Sequence, residues 1–169
     1  ISNLLAQDGI LIIEDPSFLE CIKKLSYDQF YNEHIYIFSA LSVKKIILKY
    51  NLELFEIEKL STHGGSLRYY IKRTENKKIH IKDSVSKQIN DEIKFGLNKY
   101  STYKKFGENV KKSKKDLISI FKEIKNKKHK IIGYGATAKA TTVLNYCKIN
   151  KKIIDYFVDT TPDKANKYM

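Results

Sequence analysis

The chain has 169 residues, 42% of them hydrophobic, which excludes wholesale disorder and bounds it to one ordinary domain or two small ones. No apolar run nears the length of a membrane span and no charged leader precedes one, so neither a membrane segment nor a secretory signal is expected. The net charge is +13, yet of 32 basic residues only Arg68 and Arg73 are arginines, whose planar fork reads guanine edges and phosphates, so no nucleic-acid partner is expected.

In chain order, residues 1–7 read as the end of a helix stopped by Asp8-Gly9. The continuous apolar run 10–13 reads as a strand buried on both faces of a mostly parallel sheet, ended by Glu14-Asp15-Pro16. A short helix covers 17–25, and Ser39 caps another that runs to about Tyr50, with Leu41, Ile47 and Leu48 as buried candidates. Residues 52–60 alternate as a strand. His63-Gly64-Gly65-Ser66 is a turn, and 67–71 returns as the antiparallel partner of a hairpin. Earlier strands of such a sheet would lie before Ile1.

The polar stretch 74–82 reads as a linker. Asp83 is the expected cap of a helix carrying Val85, Ile89, Ile93 and Leu97 on one face. A longer amphipathic helix follows, with Tyr103, Phe106, Val110, Leu117, Phe121 and Ile124 as its stripe. Residues 130–132 (strand), 133–135 (tight turn), 136–148 (helix) and 153–158 (strand) compose a βαβ unit. Cys21 and Cys147 lie far apart with no zinc-ligand spacing and read as reduced thiols of a cytoplasmic protein. Met169 is the only methionine, so a chain without an initiating one that stops on Tyr168-Met169 reads as a piece of something longer.

Three clusters carry chemistry-bearing residues. Tyr31, Glu33 and His34 sit in a stretch without clear periodicity. A histidine takes a proton near neutral pH without much tuning, a carboxylate can orient it, and a tyrosine hydroxyl can donate to a developing oxyanion. Their bland reading is a half-buried, satisfied His-Tyr pair. Gly133-Tyr134-Gly135-Ala136-Thr137-Ala138 fits GxGxxA, with Lys139 in the first helical turn and Asp159 after the next strand, where an acid would meet a ribose hydroxyl. The third cluster, Gly64, Gly65, Ser66 and Arg68, reads first as a turn needing positive φ.

These motifs, in order, resemble bacterial S-adenosylmethionine-dependent C-methyltransferases that act on nucleotide-linked 4-keto deoxy sugars. They are Leu4-Leu5…Asp8-Gly9 with Glu14 and Pro16; Tyr27-Asp28…Tyr31-Asn32-Glu33-His34; His63 to Arg68; Gly133 to Lys139 with Leu144-Asn145-Tyr146; and Asp159…Pro162…Lys164. The resemblance implies an α/β fold: the end of a class I methyltransferase-type sheet over 1–75, then long helices and a truncated Rossmann-like βαβ domain over 76–169. It implies His34 as the base that removes the sugar's C3 proton, with Tyr31 and Glu33 beside it. Gly64, Gly65, Ser66, Arg68, Gly133, Tyr134, Gly135, Lys139, Asn145 and Asp159 are the implied substrate-binding residues. Asn32 departs from the family, which commonly has a second histidine there. S-adenosylmethionine is expected to be held mainly by residues upstream of this chain, and zinc only by a separate N-terminal segment. The fragment is therefore expected to be inactive alone, with a nucleotide-diphosphate sugar as partner and its oligomeric state left open. Two other readings stay open: an NAD-dependent oxidoreductase using the GxGxxA unit, and a non-catalytic nucleotide-sugar-binding module.

Overall fold

A computed structural model describes residues 1–167, so Tyr168 and Met169, read above as a cut end, lie outside the described residues. The architecture is mixed α/β, in two compact units. The first comprises Ile1–Ser26 and Tyr36–Lys104, and the second Tyr27–Ile35 with the chain from Lys105 onward.

In the first unit, strands β1 (Ile10–Pro16), β2 (Leu52–Leu60) and β3 (Ser66–Arg73) form a sheet ordered β1-β3-β2. β3 is antiparallel to both neighbours, so β1 and β2 run the same way on either side of it. Alternation on β3 turns Leu67, Tyr69 and Ile71 into the core, at 2%, 0% and 0% exposure. Against them pack Ala40, Val43 and Ile47 of helix α2 (Ala40–Leu48) and Val85 of helix α3 (Asp83–Phe95). Ser39 caps α2 as its sequence indicates, in a reciprocal exchange with Ser42. Helix α1 (Phe18–Lys24) is capped by Ser17.

Several expectations need correction. Residues 1–7 make turns and no helix. Gly9 is not left-handed, and the Arg73 guanidinium donates to the carbonyls of Ser2 at 2.6 Å and Leu5 at 2.6 Å, so a side chain does the work of helical N–H groups. The described residues do not cover both faces of β1. It pairs only with β3 among the described residues, and Ile10, Ile12 and Ile13 are 46%, 56% and 37% exposed. The strand also continues through Pro16. Leu48 of α2 is exposed, and the buried positions are Ala40, Val43 and Ile47. The α3 cap is Lys82 rather than Asp83, with no side-chain capping bond, because Asp83 is already in the first turn. Ile93, expected on the core face of α3, is 41% exposed.

α3 packs on β2 and α2, so the compact unit continues past 74–82 and ends inside helix α4 (Tyr100–Asn126). Its anchor is Glu92, fully buried, whose carboxylate accepts the Ala40 and Leu41 N–H groups at 2.8 and 2.9 Å. A buried charge is tolerable there because the N-terminus of α2 presents unpaired donors.

In the second unit, β4 (Ile132–Tyr134), helix α5 (Ala138–Cys147) and β5 (Tyr156–Val158) form the anticipated βαβ, with β4 and β5 parallel. β4 begins two residues later than 130–132, so Gly133 and Tyr134 belong to the strand and not to a tight turn. Cys147, Ile149 and Ile154 form the core, backed by Leu117 and Phe121 from the α4 stripe.

Candidate functional site

His34 lies on an irregular turn, where the Glu33 and His34 side chains are not forced apart as they would be on a strand. The His34 backbone N–H donates to the Tyr31 carbonyl at 3.0 Å, which folds the turn back on itself. The two rings then meet edge to face, with centroids 5.3 Å apart. The Tyr31 hydroxyl donates to Glu33 Oε2 at 3.2 Å. Desolvation first, and then the Glu33 carboxylate, raise the Tyr31 pKa, so the phenol stays protonated as a donor at neutral pH. The three residues read from the sequence as a cluster do converge.

What holds this turn was not legible from the chain. The preceding turn, Tyr27–Gln29, packs on α5, and Thr142 donates its hydroxyl to the Phe30 carbonyl at 3.0 Å. Tyr27 stacks edge-on against Tyr146 at 5.6 Å, and its hydroxyl lies 3.9 Å from the Cys147 sulfur. The segment from 27 to 35 is thus tied to the βαβ element more than 100 residues later.

At the N-terminus of α5, Gly135 has φ +87° and Thr137 caps the helix by accepting the Ala140 N–H at 3.1 Å. Asp159 Oδ2 accepts the Ala136 N–H at 2.8 Å and receives Lys164 Nζ at 2.9 Å, while Oδ1 accepts the Thr161 N–H at 2.9 Å. The Lys164 ammonium first, with these N–H groups, holds the Asp159 pKa well below the usual carboxylate range. One donor that a phosphate would use is therefore already engaged by an internal anion. Tyr134 is exposed beside it, and Lys139 lies in the first helical turn.

Two residues assigned to substrate have the following places. A Cβ on Gly133 would lie 2.1 Å from the Phe157 ring, so this glycine is required by β4–β5 packing. Asn145 is exposed at the opposite end of α5, about 10 Å along the axis from Ala138.

In the first unit, Gly64 and Gly65 have φ +81° and +129°, as the turn reading requires. Gly65 also allows a close approach, since a Cβ there would meet Glu20 Cγ at 2.8 Å. The Ser66 hydroxyl donates to the Thr62 carbonyl at 3.1 Å. Arg68 is tied across the sheet to Glu14 at 2.9 Å and to Glu58 at 3.0 Å, its register partners on β1 and β2. Its guanidinium braces three strands, which leaves it little freedom to engage an anion.

Two buried polar residues, Gln88 and Glu92, escaped the sequence reading. Their signal was a four-residue spacing on the buried face of α3, hidden among apolar positions. Among the described residues no cluster of His, Cys, Asp and Glu is suited to hold a metal ion, and no helix is long and apolar enough to cross a membrane.

Comparison with known proteins supports the resemblance to C-methyltransferases. Residues 61–169 match the family described as the C-methyltransferase C-terminal domain. The whole chain is 24% identical to the C-methyltransferase NovU of Streptomyces niveus and spans 40% of that relative's length.

Proposed function

The chain belongs to the C-methyltransferase C-terminal domain family, and from that premise we propose that it is part of an enzyme methylating carbon C3 of a nucleotide-linked 4-keto deoxy sugar. The observation that carries this reading is the convergence of Tyr31, Glu33 and His34 on one turn. A proton beside a ketone becomes removable once the enolate oxygen is stabilised. In this reading His34 takes the C3 proton, and the Tyr31 phenol donates to the oxyanion by exchanging its bond to Glu33 for one to substrate. Glu33 then faces the imidazolium as a compensating charge.

S-adenosylmethionine would supply the methyl group. At the glycine-bearing turn before α5, one backbone donor, the Ala136 N–H, is already taken by Asp159. We assign the donor mainly to residues preceding Ile1, with any zinc in a separate N-terminal segment. The turn 133–139 is assigned to the substrate's diphosphate through backbone donors other than the Ala136 N–H that Asp159 holds, with Lys139 as its charge, Asp159 facing a ribose hydroxyl and Asn145 as a further contact. The Gly64–Ser66 turn is kept as a second substrate contact.

The test is transfer of labelled methyl from S-adenosylmethionine to a thymidine-diphosphate-linked 4-keto deoxy sugar by the intact protein. Product methylated at C3 is expected. Absence of transfer, together with calorimetric binding of NAD tighter than that of nucleoside diphosphates, would reassign the βαβ unit to an oxidoreductase.

A further inference from the structure

Tyr146 closes the Leu144-Asn145-Tyr146 motif in the last turn of α5, and nothing in the reaction above uses it. Its surroundings within the second unit give it a duty. From α4, Lys114 holds its ammonium over the Tyr146 ring, 4.6 Å from the centroid, and donates to the Tyr146 carbonyl at 2.5 Å. A cation placed there is attracted twice, by the ring's negative face and by the unpaired carbonyls of a helix C-terminus. The ring so fixed meets Tyr27 edge to face, with 5.6 Å between centroids.

Thr142 and Tyr146 are four residues apart, so they share one face of α5. Thr142 takes the Phe30 carbonyl and Tyr146 takes the Tyr27 ring. The segment that leads into the His34 turn is therefore held at two points, and between them it runs antiparallel to α5, toward the glycine-bearing end of that helix. A single point would leave the segment free to swivel, whereas two fix its direction. The turn that follows inherits that direction, and a general base works only within hydrogen-bond reach of the proton it takes.

We propose that Tyr146 is a positioning residue for His34, with Lys114 as its support from α4. Thr142 fixes where the segment sits, and Tyr146 fixes which way the turn faces. The proposal rests on the reading of His34 as the base, so its test needs one readout of turnover and one of the turn alone.

In the intact enzyme, Tyr146→Leu should lower kcat about tenfold or more with KM for the nucleotide sugar within about twofold, since misplacing a catalytic group costs rate before affinity. Tyr146→Phe keeps a ring for Tyr27 and Lys114 and should restore kcat to within about twofold of wild type. Lys114→Met keeps the stem and loses the ammonium, and its kcat should fall between the two. Hydrogen exchange at the His34 amide, which donates to the Tyr31 carbonyl at 3.0 Å, reads the turn without turnover. It should quicken about three- to tenfold in Tyr146→Leu, the worth of one aromatic contact, and stay unchanged in Tyr146→Phe. If Tyr146→Leu does not fold, Lys114→Met decides the matter by the same two readouts. Unchanged amide exchange, unchanged kcat in an active enzyme, or a raised KM with kcat retained would overturn the positioning role. A wild type that transfers no methyl group while His34 exchange still depends on Tyr146 overturns the methyltransferase reading alone, and the two-point mount stands.

Discussion

Thr142 Oγ1 donates to the Phe30 carbonyl at 3.0 Å, and this bond joins the α5 helix to the chain three residues before Glu33. The turn carrying His34 has little regular structure of its own, so its position depends on such long-range ties. Thr142→Val keeps the shape and removes the donor. Global stability should fall by only about 1 kcal/mol, as for one hydrogen bond. The turnover number of the intact enzyme should fall several-fold with KM nearly unchanged, because a displaced base costs transition-state stabilisation more than binding. A KM effect with turnover preserved would show that the tie serves substrate affinity instead.

Glu92→Gln tests the buried link between α2 and α3. The carboxylate accepts two backbone N–H groups and the Gln88 amide, and an uncharged amide cannot replace all three. The expected loss is about 2–3 kcal/mol in urea unfolding, the range for buried hydrogen bonds to a charge. Glu123→Gln, which breaks only an exposed pair with Lys127, should change stability by less than about 0.5 kcal/mol.

How much of this was legible in the chain follows from which interactions are local. The α2 cap, the 52–60 strand, the hairpin and the βαβ unit were readable because capping, alternation and turn chemistry act within a few residues. Residues 1–7 misled because the partner of their carbonyls, Arg73, is nearly seventy positions away. The convergence of Tyr31, Glu33 and His34 was anticipated, whereas their attachment to α5 left no periodic trace. Gln88 and Glu92 were invisible for the opposite reason, since they occupy positions where periodicity calls for leucine.

Gly133 and Gly135 look alike in the motif but carry different duties. Gly133→Ala would press a methyl into the Phe157 ring, and overpacking of this kind costs about 1–3 kcal/mol. Gly135→Ala meets no close atom and carries only the cost of positive φ, about 1 kcal/mol. Denaturation should therefore rank Gly133→Ala as the more damaging. Adding Phe157→Leu to Gly133→Ala should recover part of the loss, which a ligand-binding role for Gly133 would not predict.

The Asp159 carboxylate sets a pH dependence for the α5 N-terminus. Its folded pKa is depressed by Lys164 and the surrounding N–H groups, so its contribution is full above the unfolded value of about 3.9 and declines progressively as pH falls from there through the much lower folded value. Hydrogen exchange at the Ala136 amide, corrected for intrinsic rate, should show constant protection from roughly pH 8 to 5 and a progressive decline beginning below about pH 4. Asp159→Asn should weaken that protection across the whole range. Protection that rises on acidification would refute the assignment.

The decisive prediction concerns His34, and it separates proton abstraction from methyl transfer. In the intact enzyme, C3 of the keto sugar should exchange its hydrogen with deuterated solvent when the base is present. His34→Asn should lose exchange and turnover together by about a hundred- to ten-thousand-fold, the usual value of a positioned base. Tyr31→Phe should lose less. The ring keeps its edge contact with His34 at 5.3 Å, and only the hydroxyl now bonded to Glu33 disappears. Glu33→Gln should act more weakly again, because it only replaces the carboxylate that accepts the Tyr31 hydroxyl. Nucleotide-sugar affinity should stay within a few-fold in all three, because the interactions being removed act mainly in the transition state. If folded His34→Asn exchanges and turns over at near the wild-type rate, the base lies elsewhere, and the Tyr31-Glu33-His34 turn is a packing motif held on α5 by Thr142.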